Sequence, residues 1–169
     1  LAGGHSLLPL MKMRLTTLEK LIDIGHIPEL KGVRQKGDRL EVGALTTHVE
    51  VAQDPLVQEK FPALAETAAK IGDIQVRNRG TVGGNIAHAD PASDLPALAV
   101  AFDAEIEVQG AGGKETFRAE EFFLGPLITA MPENGVLTSV SFAIPPAGAK
   151  STYLKYAHPA SGYAVIGVA

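Results

Sequence analysis

The sequence predicts an α+β fold with a mostly antiparallel or mixed sheet. Segments of alternating apolar residues predict strands, and two such segments separated by a short turn predict a hairpin. The predicted hairpins outnumber the strand–helix–strand connections that a doubly wound parallel sheet requires. Amphipathic helix patterns are interleaved with the hairpins. The composition, with 46% hydrophobic and 20% charged residues over 169 positions, is that of a folded globular chain.

The first elements after an opening loop are a short helix or turn and a hairpin. Thr17 can cap a helix over residues 17–25 that carries its leucines on one face and ends at Gly25. The stretch KGVRQKGDRLEVGAL, residues 31–45, places apolar residues on both sides of a turn at Gly37, where glycine permits a positive φ. It therefore predicts two paired strands.

Two helices are marked by signals at their ends. Thr47 and Glu50 have the spacing of a capping box, in which each residue satisfies a backbone N–H group of the other. FPALAETAAKIG, residues 61–72, is the clearest helical pattern, with Pro62 near its start and Gly72 as its stop. We expect both helices to bury an apolar face.

The second half of the chain continues the alternation of helices and hairpins. ASDLPALAVAF, residues 92–102, predicts a helix opened by Ser93 or Asp94. AEIEVQGAGGKETFRA, residues 104–119, predicts a glycine-rich hairpin, and a short helix follows in EEFFLG. A strand is expected from Val136 to Phe142, and two more strands in the final segment STYLKYAHPASGYAVIGVA.

Charge and composition exclude several classes of function. The net charge of −4 and the absence of a dense Lys/Arg cluster argue against a nucleic-acid partner. The chain contains no cysteine, so it provides no disulfide, thiolate zinc site or iron–sulfur cluster. No apolar run reaches membrane-spanning length and no signal pattern begins the chain, which predicts no membrane span and a cytoplasmic location.

Two glycine-rich segments carry the main functional signal. They are AGGHS, residues 2–6, and TVGGN, residues 81–85, which lies in the polar, glycine-rich span 71–97. Adjacent glycines let successive backbone N–H groups turn toward one anion. One such pair alone is better explained by a tight turn, but two pairs suit a ligand with two linked phosphates, such as a dinucleotide. No G-x-G-x-x-G follows a strand and GAGGK at 110–114 lacks the P-loop spacing, so the dinucleotide must be held in another way.

These segments resemble a known family. AGGHSLLPLMKMRL and IGDIQVRNRGTVGGNIAHADPASDLPAL, together with LEVGALTTH, FPALAETA and EEFFLGPLITAM, look like the FAD-binding medium subunit of the molybdenum hydroxylases, the group of carbon monoxide, aldehyde and xanthine dehydrogenases. The resemblance covers nearly all of the chain. It implies a two-lobed FAD-binding fold of the vanillyl-alcohol-oxidase or PCMH type, with FAD between the lobes and its pyrophosphate on the two glycine segments.

The resemblance also implies partners and an electron path. The partners are an iron–sulfur small subunit and a molybdopterin large subunit. The large subunit oxidises a small substrate, and electrons pass through the iron–sulfur clusters to FAD and then to an external acceptor.

Carried over residue by residue, the resemblance implies one cofactor site. Its implied FAD-binding residues are Ala2, Gly3, Gly4, His5, Ser6, Leu7, Thr81, Gly83, Gly84, Asn85, His88, Asp94 and Lys155. We expect backbone N–H groups and the hydroxyls of Ser6 and Thr81 to donate to the pyrophosphate, and Asn85 to contact a ribityl or ring heteroatom. No catalytic side chain is implied, because the flavin carries the redox chemistry.

The domain organisation follows from the same resemblance. Residues 1–25 correspond to the remainder of the first FAD-binding lobe, residues 26–145 to the second lobe, and residues 146–169 to the start of a C-terminal flavoprotein domain. The fold is therefore expected to be truncated at both ends. In the last part Tyr153 and Lys155 match the family, whereas His158-Pro159 stands where many members carry basic residues.

Two other functions stay open. A non-catalytic assembly module could hold an ADP-like group on the same segments, and a stand-alone flavin reductase of related fold could act without partners. The reductase requires an acid beside the flavin, and no convincing residue supplies it. A metal site built from His88, Asp90 and Asp94 matches no standard ligand spacing, so no metal is predicted.

Several further residues have more than one interpretation. His5 is either a loop anchor or a cofactor contact, while His26 and His48 are interpreted as surface or capping residues. Arg77 and Arg79 either offset pyrophosphate charge or form a salt bridge or a partner contact.

Overall fold

The computed structural model describes residues 1–169 and contains eight short α-helices and nine β-strands. The helices are α1 (Leu7–Lys12), α2 (His48–Gln53), α3 (Pro55–Lys60), α4 (Pro62–Ala69), α5 (Ile74–Arg79), α6 (Val82–His88), α7 (Leu95–Ala101) and α8 (Ala119–Phe122). The strands are β1 (Val33–Lys36), β2 (Arg39–Gly43), β3 (Glu105–Gly110), β4 (Gly113–Arg118), β5 (Phe123–Gly125), β6 (Ile128–Thr129), β7 (Val136–Ala143), β8 (Leu154–Ala157) and β9 (Ala164–Val168). No helix is long and apolar enough to cross a membrane.

Five strands form one antiparallel sheet. Its order is β1-β2-β7-β3-β4, so the hairpins β1–β2 and β3–β4 lie on either side of the long strand β7. Two further hairpins, β5–β6 and β8–β9, form small sheets of their own. The mixture of helices with antiparallel hairpins confirms the predicted α+β fold.

The core lies between one face of this sheet and the helices that separate β2 from β3. Alternate residues of the sheet, such as Leu40, Ile106 and Phe142, are fully buried in one apolar cluster with helix residues of α2, α3, α4, α6 and α7. Phe61, at the junction of α3 and α4, contributes a ring whose centroid is 5.8 Å from that of Phe142. Burying each such side chain stabilises the fold by about 1.5–3 kcal/mol.

Most of the predicted elements are confirmed. Both hairpins form, helix α4 ends before Gly72 with its φ of +47°, and the strand from Val136 is present as β7. The capping box is complete, because Thr47 Oγ1 accepts from Glu50 N and Glu50 Oε2 accepts from Thr47 N at 2.7 Å. The helix expected over 92–102 exists as α7.

A short helix or turn is expected over residues 17–25, but no helix forms there. This stretch is irregular, and its apolar side chains Leu18, Leu21 and Ile22 are exposed by 43%, 42% and 75%. A short helix in water gains little from its own hydrogen bonds and depends on packing of an apolar face. Here that face has nothing to pack against.

Three segments that looked like loops are helical instead. These are α1, α5 and α6, of which α6 contains the second glycine pair. Two glycines cost roughly 1 kcal/mol each inside a helix relative to alanine, which is why the pattern indicated a loop. Capping by Thr81 and close packing of Gly83 outweigh that cost.

The chain ends in a hairpin that is tied to the segment after α6. The backbone N–H of Ala164 in β9 donates to the carbonyl of Ala92 at 3.2 Å, and the β8–β9 turn is closed by His158 N donating to the Tyr163 carbonyl at 2.8 Å. The division into residues 1–25, 26–145 and 146–169 stays a prediction.

Candidate functional site

The first glycine segment, residues 2–6, is a turn that leads into α1. Gly4 adopts a φ of +75°, which glycine tolerates and other residues rarely adopt. Gly3 is in close contact with the end of α5, because a Cβ added to it would lie 2.1 Å from the carbonyl oxygen of Arg79. Gly4 is therefore required for its dihedral angle and Gly3 for the approach of another backbone.

The second glycine segment begins helix α6. Thr81 is the N-cap, and its Oγ1 accepts from the N–H of Gly84 at 3.1 Å. Gly83 packs on the β2–α2 connection, where its N–H donates to the Ala44 carbonyl at 2.9 Å and an added Cβ would lie 2.5 Å from the Ala44 Cβ. Gly84 is exposed, and a Cβ there would lie 3.8 Å from the Cβ of Ala2. The two glycines therefore have different roles: Gly83 packs the helix and Gly84 faces the first segment.

Both segments border one cavity of about 250 Å³. Every residue of the predicted FAD site lines it except Gly83 and Lys155. The N–H and the Cα face of Gly83 are occupied by Ala44, so its N–H is not free to donate to a cofactor, and its role as a cofactor contact stays a prediction. Lys155 lies one contact away, bonded to the lining residue Asp94.

Free backbone donors occur in the first segment. None of the N–H groups from Ala2 through Leu7 donates to an acceptor within the chain. In residues 82–85 every N–H group is occupied, by the carbonyls of Thr46, Ala44 and Thr81 and by the Thr81 hydroxyl. The expectation that both segments offer rows of free backbone donors is thus corrected. Residues 82–85 contribute side chains and the open space at Gly84 to the cavity, but no free backbone N–H group.

Side-chain donors lie around the same cavity. The Ser93 hydroxyl donates to Asn85 Oδ1 at 2.7 Å, which leaves the Asn85 Nδ2 as a donor. Thr81 Oγ1 acts as an acceptor in its cap, so its own proton stays available. The Ser6 hydroxyl has no partner in the chain, and it does not cap α1.

Asp94 forms a buried ion pair at another side of the cavity. Its carboxylate accepts from Tyr153 Oη at 2.7 Å and from Lys155 Nζ at 2.9 Å, and both charged side chains are at most 5% exposed. Lys155 Nζ also donates to the Lys70 carbonyl, and Lys70 Nζ donates to the Tyr153 carbonyl at 2.7 Å. Burial and the adjacent Asp94 carboxylate raise the pKa of Tyr153, so this phenol stays protonated. Asp94 stands at the N-cap position of α7 without capping it, so that expectation is wrong for its side chain.

The turn of the β8–β9 hairpin brings two further residues to the cavity, Ser161 and Tyr163. Burial, followed by the charge of Asp90, raises the pKa of the Tyr163 phenol above its usual range. Sequence reasoning did not find these two residues. The ion pair Asp94–Lys155 attaches their hairpin to the start of α7, and a lysine at the second position of a strand gives no sequence signal of such a pairing.

His48 was expected to be a surface or capping residue, and this expectation is wrong. Its side chain lines the cavity, and the residue is only 2% exposed. Burial, and secondarily the positive charges of His5 and Arg77, lower its pKa to about 4, so the imidazole is neutral at neutral pH. The Nδ1 atom is buried without a hydrogen-bond partner. The sequence signal that could have indicated burial is its position as the first residue of an amphipathic helix behind a capping box.

The remaining polar residues are placed as follows. His26 is exposed, as expected. Arg77 donates to the carbonyls of Ile71 and Gly72 and pairs with no carboxylate, and Arg79 is exposed without an ion pair. No group of three or more His, Cys, Asp or Glu side chains is positioned to hold a metal ion.

Comparison with known proteins gives one consistent family. The family model described as the FAD binding domain in molybdopterin dehydrogenase matches residues 1–146. The carbon monoxide dehydrogenase medium chain of Hydrogenophaga pseudoflava is 44% identical over all 169 residues, which cover 59% of that protein. The glyceraldehyde dehydrogenase medium chain of Sulfolobus acidocaldarius is 36% identical over the same residues, which cover 60% of it.

Solved structures agree with the sequence comparison. A carbon monoxide dehydrogenase from Hydrogenophaga pseudoflava superposes with a TM-score of 0.96 at 45% identity, over 99% of this chain and 58% of the matched chain. Quinoline 2-oxidoreductase from Pseudomonas putida 86 superposes with a TM-score of 0.92 at 34% identity, again over 99% and 58%. The chain thus spans about 59% of the length of its relatives.

Proposed function

This chain belongs to the family of FAD-binding domains of molybdopterin dehydrogenases, its cofactor is FAD, and we propose that it serves as the flavin-holding part of an electron-transfer medium subunit. In this proposal the subunit passes electrons from partner iron–sulfur clusters through FAD to an external acceptor. These 169 residues contain no cysteine and so provide no thiolate ligand for an iron–sulfur cluster, and the proposal assigns the clusters to a partner.

The observation that carries the proposal is that both glycine segments border one cavity. Gly3 lies against the backbone of Arg79 at the end of α5, and a Cβ on Gly84 would lie 3.8 Å from the Ala2 Cβ. Gly3, Gly4 and Gly84 line the cavity and carry no side chain, so a diphosphate can approach the backbone of both segments closely.

The chemistry of the donors fits a diphosphate. The unpartnered N–H groups from Ala2 through Leu7 offer a run of backbone donors, and the hydroxyls of Ser6 and Thr81 add two more on the same cavity. Hydrogen bonds to ionised phosphate oxygens are roughly twice as strong as neutral ones. We assign the diphosphate to these groups.

Other residues of the cavity are proposed to orient the remainder of the cofactor. The Asn85 amide is held by Ser93, so Nδ2 faces a ligand as a donor. Asp94 has both oxygens occupied, and its proposed role is to hold the β8–β9 hairpin against the cavity through Lys155 and Tyr153. His88 borders the same space from the end of α6.

When bound, FAD supplies the electron-transfer chemistry, accepting electrons from one donor and releasing them to another acceptor. The residues named here bind and orient the cofactor. The proposed partners are an iron–sulfur small subunit and a molybdopterin large subunit. The medium-chain names of the relatives support this assignment, since a medium chain is one component of a larger assembly.

The test is retention of FAD. The full-length protein that contains these residues is incubated with FAD, passed through gel filtration, and examined by absorption and by anaerobic photoreduction. We expect a retained flavin band that bleaches on photoreduction. Retention of ADP without flavin would support the non-catalytic module instead, and oxidation of a nicotinamide donor without any partner would support a flavin reductase. Loss of all flavin on the column would contradict the proposal.

A further inference from the structure

His48 is a polar side chain that the proposed FAD site does not yet use. It stands at the first position of α2, where its backbone N–H donates to the Gly80 carbonyl at 3.1 Å. Its side chain lines the cavity beside the junction of the two glycine segments. A Cβ added to Gly80 would lie 2.9 Å from both Nε2 and Cδ2 of the imidazole, so the ring packs directly on the residue that Gly3 also approaches.

The two ring nitrogens have different surroundings. Nδ1 is sealed from solvent and has no partner. Nε2 also has no partner in the chain, but it is not among the sealed atoms, so the ring borders the cavity through the edge that carries Nε2. A buried polar atom without a partner costs free energy, and such groups in native proteins commonly serve a ligand.

The tautomer follows from the same difference. A neutral imidazole carries one proton, on either nitrogen. Orphaned buried N–H donors are rarer than under-satisfied acceptors, so the proton is better placed on Nε2, where a ligand or water can accept it. Burial keeps the ring neutral, and the nearby charges of His5 and Arg77 favour the same state by lowering its pKa.

We propose that His48 is a cofactor-positioning residue, whose Nε2–H donates to the diphosphate of the dinucleotide from behind Gly80. The inference rests on the proposed function, because it needs a diphosphate at the junction of the glycine segments. It adds a side-chain donor from α2, an element that the two glycine segments do not include. A neutral N–H donor binds an anion without placing a positive charge in this poorly solvated part of the protein.

The test compares three substitutions on the full chain with FAD and ADP as ligands. His48→Phe keeps the ring volume and removes both nitrogens. His48→Gln places an amide nitrogen near the position of Nε2, whereas His48→Asn places it near Nδ1. We expect the dissociation constants for FAD and ADP to rise about ten- to a hundredfold in the Phe and Asn variants, the effect of losing a hydrogen bond to a charged group. The Gln variant should stay close to the wild type.

The outcomes separate the two proposals. If the wild type retains neither FAD nor ADP, the proposed function fails and this inference with it. If the wild type binds both and His48→Phe, folded by circular dichroism, binds them equally well, only the inference is overturned. A loss for FAD with unchanged ADP affinity would overturn the assignment to the diphosphate.

A second measurement covers the case in which the Phe variant does not fold. Long-range ¹H–¹⁵N correlation spectra of the wild-type imidazoles, with His48 assigned by the signal missing in His48→Gln, report the tautomer directly. We expect a neutral Nε2–H form whose Nε2 resonance shifts when ADP is added. A proton on Nδ1, or a resonance indifferent to ADP, would overturn the inference.

Discussion

Gly3 and Arg79 are in backbone contact: a methyl group on Gly3 would lie 2.1 Å from the Arg79 carbonyl oxygen. No real Cβ approaches a carbonyl oxygen so closely, so any side chain at Gly3 must push the first glycine segment away from α5. The contact holds the first glycine segment against the end of α5 and against Gly80, the residue that precedes the second glycine segment. The first segment supplies backbone N–H groups to the cavity, and the second supplies the Thr81 hydroxyl and the Asn85 amide.

The first prediction concerns this contact. Gly3→Ala should raise the dissociation constant for FAD at least about tenfold, and overpacking should lower the free energy of unfolding by about 1–3 kcal/mol. Flavin fluorescence titration and urea denaturation measure the two effects. Gly112→Ala is the matched control, since a Cβ there meets nothing within 4 Å. Unchanged FAD affinity in Gly3→Ala would contradict the assigned role of the contact.

The second prediction separates the neighbouring glycines of α6. Gly83→Ala should destabilise the fold, because its Cβ would lie 2.5 Å from the Ala44 Cβ and 2.8 Å from the Ala44 Cα. Gly84→Val should mainly abolish FAD binding, because the valine side chain would enter the cavity that Gly84 lines, with its Cβ 2.8 Å from Thr81 Oγ1 and 3.8 Å from the Ala2 Cβ. Thermal unfolding and FAD titration of both variants test the contrast. Equal losses of stability, or retained flavin in Gly84→Val, would count against it.

Much of the fold was readable from local patterns. The hairpin around Gly37 and the capping box at Thr47 are specified by residues close together in sequence, and both formed as predicted. Helix α6 was not readable in this way, because a glycine pair favours a turn until Gly83 meets Ala44, a residue distant in sequence. Residues 17–25 show the opposite situation. Their local pattern favours a helix, but no helix forms, because the apolar side chains have no surface to pack on.

Only part of the candidate site could be predicted, because only part of it is specified by residues close together in sequence. The two glycine segments are recognisable from the sequence alone, and they border one cavity as expected. The burial of His48 and the position of Tyr163 at the cavity depend on how α2 and the β8–β9 hairpin pack. This packing cannot be inferred from the spacing of residues along the chain. The different roles of Gly83 and Gly84 likewise become evident only from the packing of α6 on the β2–α2 connection.

The third prediction concerns the buried pair of Asp94 and Lys155. Lys155→Met removes the cation and leaves a carboxylate that is only 4% exposed beside the Tyr153 phenol. Breaking a buried pair from one side costs about 3–5 kcal/mol, and we expect that loss in chemical denaturation. The double variant Asp94→Asn/Lys155→Met should recover most of it, since no charge is then left buried. A double variant as unstable as the single one would show that packing of the lysine stem, rather than charge, is responsible.

The fourth prediction is a pH dependence of stability that originates at His48. Its pKa is about 4 in the folded protein and 6.5 when unfolded, so between these values the unfolded state binds more protons and stability rises with pH. The contribution is complete above about pH 6.5 and is lost as the pH falls toward 4, to a total of about 3 kcal/mol.

Urea denaturation of wild type and His48→Gln across this window gives the difference directly: the stability of the wild type relative to the variant should increase with pH. His26→Gln, the same change at an exposed histidine, is the matched control. A difference for His48→Gln that does not vary with pH would mean that the imidazole is solvated in the folded protein, contrary to its burial at the cavity.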